Sequence, residues 1–181
     1  YKKNGRLLDI GGGNGNFALY MSKKKWKVFV QDKFVYTNSK INIFKSLNQI
    51  ERNNYFDIIT LWHSLEHIHD IRGLFYSINK MLNKNGYLII AVPNLNAPEK
   101  YFYNKLWAPY DAPRHLYHFN FNSLKRLCSK YNFEILNSYS MYQDLPYNIL
   151  LSIDKVTFYK IFKGIIIFLF SFFYTFILGP K

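Results

Sequence analysis

Short apolar runs alternate with stretches of helical periodicity along the first half of the chain. The apolar runs occupy residues 6–10, 27–30, 55–62 and 87–92. Apolar residues recur at helical spacing within residues 16–25, and again in a later stretch at Leu74, Ile78, Met81 and Leu82. Strands and amphipathic helices that alternate at these lengths predict a mostly parallel sheet with right-handed crossovers.

Two details refine this predicted sheet. Few residues separate Asp32 from Ser46, so the second helix and the third strand must be short or irregular. The pair Asn85-Gly86 is a turn signal, and it predicts the end of the helix before the fifth strand. Farther along, residues 123–130 predict an amphipathic helix, and residues 133–140 predict a sixth strand.

The chain ends in an uncharged apolar segment at residues 164–179, which follows Lys155, Lys160 and Lys163. A helix that spans a membrane needs about 20 apolar residues. This run is shorter, so it predicts an interfacial or re-entrant helix whose upstream lysines meet anionic headgroups. The alternative is a hydrophobic cap that packs on the fold or on a second subunit.

Three glycines, Gly11, Gly13 and Gly15, lie just after Asp9 at the junction between the first predicted strand and the first predicted helix. A buried strand that enters a glycine turn and then a helix places backbone N–H groups where a ligand can approach without meeting a Cβ. The dinucleotide pattern G-x-G-x-x-G fails because Asn16 stands at the third glycine position. A phosphate loop also fails, since no Gly-Lys-Ser/Thr follows.

The spacing Asp9-x-Gly11-x-Gly13-x-Gly15 resembles motif I of the class I S-adenosylmethionine-dependent methyltransferases. The resemblance implies an α/β fold with a doubly wound, mostly parallel, Rossmann-like sheet, and S-adenosyl-L-methionine as the cofactor. A carboxylate at the end of a second strand can accept both ribose hydroxyls. Asp32 is the corresponding residue here. The full set of cofactor residues implied by the resemblance is Asp9, Gly11, Gly13, Gly15, Asp32, Ser46 and Leu61.

The fourth predicted strand leads into His63-Ser64-Leu65-Glu66-His67. The methyltransferase family commonly has Glu-His at this place, which implies Glu66 in acceptor binding and His67 as a catalytic base. A rival interpretation is the H-x-x-E-H zinc-hydrolase pattern, in which two imidazoles on one helix hold zinc. The histidines can also simply contact backbone in a turn. We expect no metal site.

A second distinctive segment is DAPRHLYHFNF at residues 111–121. It resembles a loop of a bacterial subset of class I methyltransferases, of the methyltransferase domain 23 and type 11/12 kind. Arg114 can pair with a carboxylate or phosphate, and a histidine can take a proton near neutral pH. We therefore expect Arg114 and His118 to bind the acceptor and His115 to be a second candidate base. The alternative is that Arg114 and His118 only stiffen the loop.

These two resemblances imply that the chain transfers a methyl group to an acceptor. Family members that methylate amides or ring amines often carry Asn/Asp-Pro-Pro-Tyr after the fourth strand. Residues 62–65 read WHSL instead, which favours a hydroxyl or carbon of a small, glycan or lipid-linked acceptor. The alternative is a non-catalytic, membrane-associated module that binds the cofactor.

Composition adds three expectations. At 181 residues with 49% hydrophobic content, the chain can bury a core. The net charge of +13 is spread over scattered lysines, so it indicates attraction to anionic surfaces, and we do not expect nucleic acid as the substrate. The single cysteine, Cys128, indicates a reducing compartment and a packing role. Together with the C-terminal apolar segment, these features predict a cytoplasmic protein that is peripheral to the membrane or anchored to it through that segment.

The predicted boundary between the two regions lies near residue 142. Residues 1–142 are expected to form the methyltransferase domain, and residues 143–181 the apolar segment that associates with a membrane or caps the fold. No clear seventh strand follows the sixth. The sequence therefore predicts a fold that is incomplete at both ends, in a fragment or a degenerate copy. Its oligomeric state is left open.

Overall fold

The computed structural model describes residues 4–34, 41–50, 55–154 and 158–179. The chain divides into two compact units, residues 1–92 and 93–181. We call them the sheet unit and the helical unit, and each is described by itself. The boundary predicted near residue 142 marks where the methyltransferase domain ends in the sequence, not where a compact unit ends. It stays a prediction.

The sheet unit is built on five strands that all pair in parallel. Their order across the sheet is β3-β2-β1-β4-β5. Because the chain builds outward from β1 to β3 and then returns to the other side of β1, the switch in direction lies between β1 and β4. The strands are β1 (Arg6–Ile10), β2 (Lys27–Gln31), β3 (Asn42–Phe44), β4 (Phe56–Trp62) and β5 (Leu82–Ala91).

Two helices accompany these strands, α1 (Asn16–Lys23) and α2 (Ile71–Met81). The Asp70 carboxylate caps α2 by accepting a hydrogen bond from the Gly73 amide. The described strands and helices confirm the predicted Rossmann-like alternation. The three-residue β3 confirms that the third strand is short, whereas the predicted second helix falls at residues 35–40, outside the described ranges.

The helix α2 ends earlier than the turn signal Asn85-Gly86 predicted. Strand β5 begins at Leu82 because the pairing with β4 shifts register between Phe56 and Ile58. That irregularity takes up the residues before Tyr87, and regular pairing then runs from Tyr87 to Ala91. The turn signal therefore marks a bulge in a strand rather than the end of a helix.

The described residues of the helical unit form four α-helices: α3 (Glu99–Tyr103), α4 (Phe121–Lys130), α5 (Asp144–Leu151) and α6 (Phe158–Leu178). Asn120 and Ser123 form a capping box at the start of α4. Leu145 and Ile149 of α5 are buried against Ile167 of α6. The predicted amphipathic and apolar helices are thus both present. Burial raises the pKa of the Cys128 thiol, consistent with its packing role.

The predicted sixth strand at residues 133–140 is wrong, because the structure has no strand there. An extended segment becomes a strand only when it joins a hydrogen-bonded ladder. Here the first amide of the segment serves the preceding helix, since Phe133 N–H donates to the Cys128 carbonyl. The alternation of apolar residues that suggested a strand therefore reflects an extended connection.

The aromatic centre of the sheet unit gives a stability prediction. Phe56 is fully buried, and its ring packs edge-on against Phe29 with centroids 5.3 Å apart. We expect Phe56→Ala to lower the free energy of unfolding by about 3–5 kcal/mol and Phe56→Leu by about 1 kcal/mol, because both leave a cavity. The neighbouring Tyr55→Ala is the matched control, since Tyr55 is exposed. Equal losses for residues 55 and 56 in urea denaturation would contradict this packing.

Candidate functional site

The carboxyl end of β1 turns through residues 11–15, which we call the glycine corner. Gly11, Gly13 and Gly15 have φ values of 70°, 52° and 72°, a region that L side chains rarely adopt. The Gly11 amide donates to the Gln31 carbonyl at 2.7 Å, so the end of β1 is held to the end of β2. The Gly15 carbonyl then accepts the first bond of α1, from the Leu19 amide.

The two sides of the glycine corner differ in what surrounds them. A Cβ at Gly11 would lie 2.5 Å from Ser64 Cβ, and one at Gly12 would lie 2.6 Å from an oxygen of Asp9. By contrast, a Cβ at Gly13 would have nothing within 4 Å among the described residues, and one at Gly15 would meet only Ile41 Cδ1 at 3.9 Å. One side therefore packs tightly on the sheet unit, and the other presents bare backbone to open space.

Asp32 follows β2 and lies against this open side. Its Oδ2 accepts a hydrogen bond from the Gly13 amide at 2.9 Å, and its Oδ1 accepts one from the Phe34 amide at 2.9 Å. A carboxylate has about four lone-pair positions, so about two remain for a ligand. The structure thus brings the predicted ribose ligand and the glycine corner together.

Asp9 is buried at the end of β1, directly before the corner. Its Oδ1 accepts a hydrogen bond from the Thr60 hydroxyl at 2.7 Å. Burial raises the pKa of Asp9 to about 6, the Thr60 hydrogen bond opposes that rise, and the charge of Asp32 adds to it. At neutral pH Asp9 is therefore mostly ionised, which makes the corner favourable for a cationic ligand.

The two other residues predicted to contact the cofactor have local roles in the structure. The Ser46 hydroxyl caps a short 3₁₀ turn by accepting from the Asn48 amide at 3.3 Å. Leu61 is fully buried in β4, so its side chain contributes to the core. Their contact with a cofactor stays a prediction.

The end of β4 carries the segment His63–His67. Ser64 ties it to the end of β1, since its hydroxyl donates to the Ile10 carbonyl at 2.8 Å. Glu66 is buried, and neither of its carboxylate oxygens has a hydrogen-bond partner among the described residues. Its Oε1 lies 3.7 Å from His63 Nδ1, whereas the His67 side chain is exposed.

The zinc-hydrolase interpretation required residues 63–67 to lie on an α-helix. Instead, His63 has a φ of 48° at the end of β4, and only Leu65–His67 forms a 3₁₀ turn. The two imidazoles are therefore not one α-helical turn apart on a common face. The single α-helix on which that alternative places both histidines is therefore not formed at residues 63–67.

In the helical unit, residues 111–121 form what we call the histidine loop. Arg114 pairs with Asp111 through two guanidinium nitrogens, at 2.8 and 3.1 Å from Oδ1. His118 Nε2 lies 3.1 Å from the Tyr110 carbonyl oxygen. Such contacts within the loop are what the alternative predicts, in which Arg114 and His118 only stiffen the loop. The Arg114 side chain nevertheless remains 76% exposed. Acceptor binding by Arg114 and His118 stays a prediction.

His115 is the most oriented imidazole of this loop. Its Nδ1 lies 2.7 Å from the Pro109 carbonyl oxygen, and its side chain is 11% exposed. A carbonyl can only accept, so Nδ1 carries the proton and the neutral ring has its lone pair on Nε2. That Nε2 lies 3.8 Å from Asp111 Oδ2. A proton taken up at Nε2 would therefore face a carboxylate.

Three residues that shape the glycine corner were not predicted from the sequence. Thr60 holds Asp9, Ser64 occupies the space beside Gly11, and Gly12 permits the close approach of Asp9. Thr60 and Ser64 are distant from the corner in sequence. One sequence signal could have found them. Thr60 lies near the end of the predicted fourth strand and Ser64 lies just past it, and the parallel topology places that strand beside β1.

The charge environment of Asp9 yields a titration prediction. We expect the Asp9 carboxyl to titrate near pH 6. Asp32→Asn should lower that pKa, because it removes a repelling charge, and Thr60→Val should raise it, because it removes the hydrogen bond to the ionised form. Carboxyl ¹³C NMR with Asp9→Asn for assignment measures this. A titration near pH 4 in the unmodified protein would contradict the burial of Asp9.

Similarity to known proteins agrees with this architecture. The family described as "Methyltransferase domain" matches residues 1–138. The ubiquinone biosynthesis O-methyltransferase of Nitrosomonas europaea is 25% identical over 119 residues, which are 58% of this chain and 50% of that protein. The chain thus spans about half the length of this curated relative.

Solved methyltransferase structures share the fold. The 1,6-didemethyltoxoflavin-N1-methyltransferase of Burkholderia thailandensis, solved with S-adenosylhomocysteine bound, aligns with a TM-score of 0.60 at 17% identity, over 75% of this chain and 63% of that one. A SAM-dependent methyltransferase of Methanosarcina mazei aligns with a TM-score of 0.58 at 16% identity, over 77% and 84%.

These findings confirm the resemblance and the fold class that the sequence predicted. The matched region contains the glycine corner, the end of β4 and the histidine loop. Because the family match covers well over half of the sequence, the chain belongs to the methyltransferase domain family.

Proposed function

We propose that this chain uses S-adenosyl-L-methionine to methylate a hydroxyl group of its acceptor. The observation that carries the proposal is the open backbone at Gly13 and Gly15 beside the Asp32 carboxylate. Main chain that carries no side chains suits a ligand that must approach closely. Family membership supports the same activity.

The residues of the glycine corner fit this cofactor chemically. The remaining lone pairs of Asp32 suit two ribose hydroxyls, and the ionised Asp9 suits a ligand that carries positive charge. When bound, S-adenosylmethionine supplies a methyl group on a positively charged sulfur. The contribution of the chain is then to orient the reactants, exclude water and remove a proton.

Transfer to a hydroxyl requires a base, and we assign that role to His115. The Pro109 carbonyl fixes its tautomer, so Nε2 accepts the acceptor's hydroxyl proton while the acceptor oxygen gains the methyl group. The resulting imidazolium would face Asp111. His67 is the second candidate, but its ring is exposed. The curated relative, an O-methyltransferase, supports oxygen as the acceptor atom.

We propose an acceptor that is hydroxylated and small, or linked to a glycan or lipid. Glu66 supports hydroxyl recognition, because a buried carboxylate without a hydrogen-bond partner among the described residues suits a donor from a ligand. Arg114 is exposed and can exchange Asp111 for an anionic group of the acceptor. His118 lies in the same loop and is proposed to line the same acceptor.

We further propose that the chain works in the cytoplasm at a membrane surface. Tyr159–Ile177 has a mean hydropathy of 1.8 and is 17% buried, so by length and composition this helix is apolar enough to cross a membrane. The excess of positive charge suits an anionic surface. A lipid-linked acceptor would be reached from this position.

Cofactor binding tests the first proposal. Isothermal titration should give micromolar binding of S-adenosylhomocysteine, weakened on the order of a hundredfold or more by Asp32→Ala, because hydrogen bonds to a charged group are lost. Asp70→Ala is the matched control, since Asp70 is an exposed carboxylate that caps α2. The proposal would be abandoned if the unmodified protein gave no heat, or if Asp32→Ala bound normally.

The base is tested by methyl transfer from radiolabelled cofactor to 3,4-dihydroxybenzoate, a hydroxylated and anionic probe. His115→Gln should lower kcat about 10²–10⁴-fold and leave cofactor affinity unchanged, because only proton removal is lost. His69→Gln is the control, since His69 is an exposed histidine outside the proposed site residues. A loss confined to His67→Gln would move the role to His67, and cofactor binding without turnover on any hydroxylated probe would favour a non-catalytic module.

A further inference from the structure

The helix α6 packs against its own unit mainly along one narrow stripe, and outside that stripe Phe170 contacts Phe102 of α3. Gly164, Ile167 and Ser171 are buried, and Phe168 and Phe172 are partly buried. These positions are spaced by three and four residues, so they share one face of the helix. Leu145 and Ile149 of α5 pack against this stripe.

Most of the remaining circumference is apolar and exposed. Eleven large apolar side chains of α6 are between 41% and 74% exposed: Tyr159, Ile161, Phe162, Ile165, Ile166, Leu169, Phe170, Phe173, Tyr174, Phe176 and Ile177. Together they expose on the order of 1,000 Å², whereas the largest patch on a monomeric protein is usually about 300–600 Å². We therefore expect another molecule or a membrane to cover this apolar surface and shield it from water.

Two features favour a lipid bilayer as the cover of this surface. The apolar residues surround the helix on all sides except the packed stripe, and a bilayer can cover such a broad surface, whereas a partner helix covers one stripe. The only charged side chains on α6 among the described residues are Lys160 and Lys163, both near its N-terminal end. Lys160 pairs with Asp154, whereas the long side chain of the exposed Lys163 can reach anionic headgroups from an apolar helix.

The neighbours of α6 determine its orientation in the bilayer. Tyr142 and Phe172 have ring centroids 5.1 Å apart, and Gly164 lies beside Ile149. The helix α5 therefore lies alongside the middle of α6. If α6 crossed the membrane, α5 would be carried toward the bilayer centre with Asp144, at a cost of about 3 kcal/mol or more for the charge.

We propose that α6 lies in the plane of an anionic membrane surface, with its packed stripe toward the protein and its exposed face in the acyl boundary. This inference rests on the proposed membrane association and adds the orientation of the helix. The stripe opposite the packed one is formed by Phe162, Ile166, Leu169, Phe173 and Phe176, because these positions repeat at helical spacing. Those five side chains should enter the bilayer most deeply, and all to a similar depth.

Spin labels test this orientation in the full chain. Single cysteines at these five positions, in a Cys128→Ser background, carry a nitroxide on vesicles made of equal parts phosphatidylcholine and phosphatidylglycerol. Oxygen and a water-soluble nickel complex then report the depth of each label. We expect five similar depths, with a label at Tyr139, which is 78% exposed and outside α6, remaining in water.

Each other outcome overturns a defined part of the inference. A deep label at residue 169 with shallow labels at 162 and 176 would show a spanning helix and refute the in-plane orientation, although membrane association would survive. Failure to bind vesicles would refute both. Dipolar broadening that appears without lipid and is lost on dilution would show that a second copy covers the face. Cofactor binding is measured separately, so its failure is distinguishable.

A charge substitution provides an independent check. The double variant Ile166→Asp and Phe173→Asp should lower vesicle partitioning on the order of tenfold or more, because it places carboxylates in the acyl boundary beside anionic lipid. Tyr139→Asp is the matched control and should leave partitioning nearly unchanged. The same partitioning for the double variant and the control would contradict the lipid-facing surface. Unchanged far-UV circular dichroism and thermal unfolding verify that the double variant is folded.

Discussion

The sheet unit depends on the glycine corner, where the backbone turns sharply although the side chains of Ser64 and Asp9 occupy the space on one side of the turn. Ser64 occupies the space where a Cβ of Gly11 would be, and its hydroxyl binds the Ile10 carbonyl. This contact joins the end of β4 to the end of β1, while the Gly11 amide joins β1 to β2. The turn is therefore held from both neighbouring strands, and only the side at Gly13 and Gly15 is left open. Rigid support on one side is what allows bare backbone to stand exposed on the other.

Local sequence signals were sufficient for the parts of the fold that local interactions decide. Three features were predictable: the apolar run at β1, the glycine corner and the carboxylate after β2. Each depends only on residues close together in sequence, through a run of apolar residues, the conformational freedom of glycine or the spacing of a family motif. The predicted strand at residues 133–140 failed because a strand depends on a partner elsewhere in the chain. The hydrogen bond from Thr60 to Asp9 escaped prediction for the same reason, since it joins two strands that are far apart in sequence.

The site residues divide in the same way. Asp9 and Asp32 keep the positions that the resemblance implied, and their electrostatic coupling became visible only in three dimensions. The resemblance implied Ser46, and guanidinium chemistry indicated Arg114, yet the structure gives each a nearby partner, Asn48 and Asp111 respectively. Helix α6 shows the converse case. Its apolar composition was evident from the sequence, but the packing of α5 along its middle, on which its proposed orientation at a membrane depends, was not.

The central claim is that the open side of the glycine corner holds the adenosine-containing cofactor. Amide chemical shifts of ¹⁵N-labelled protein during titration with S-adenosylhomocysteine measure this most directly. The account predicts that the largest changes fall on the amides of Gly13, Gly15 and Phe34, since the last donates to Asp32. Saturable binding that leaves these three amides unchanged and shifts residues elsewhere would contradict it.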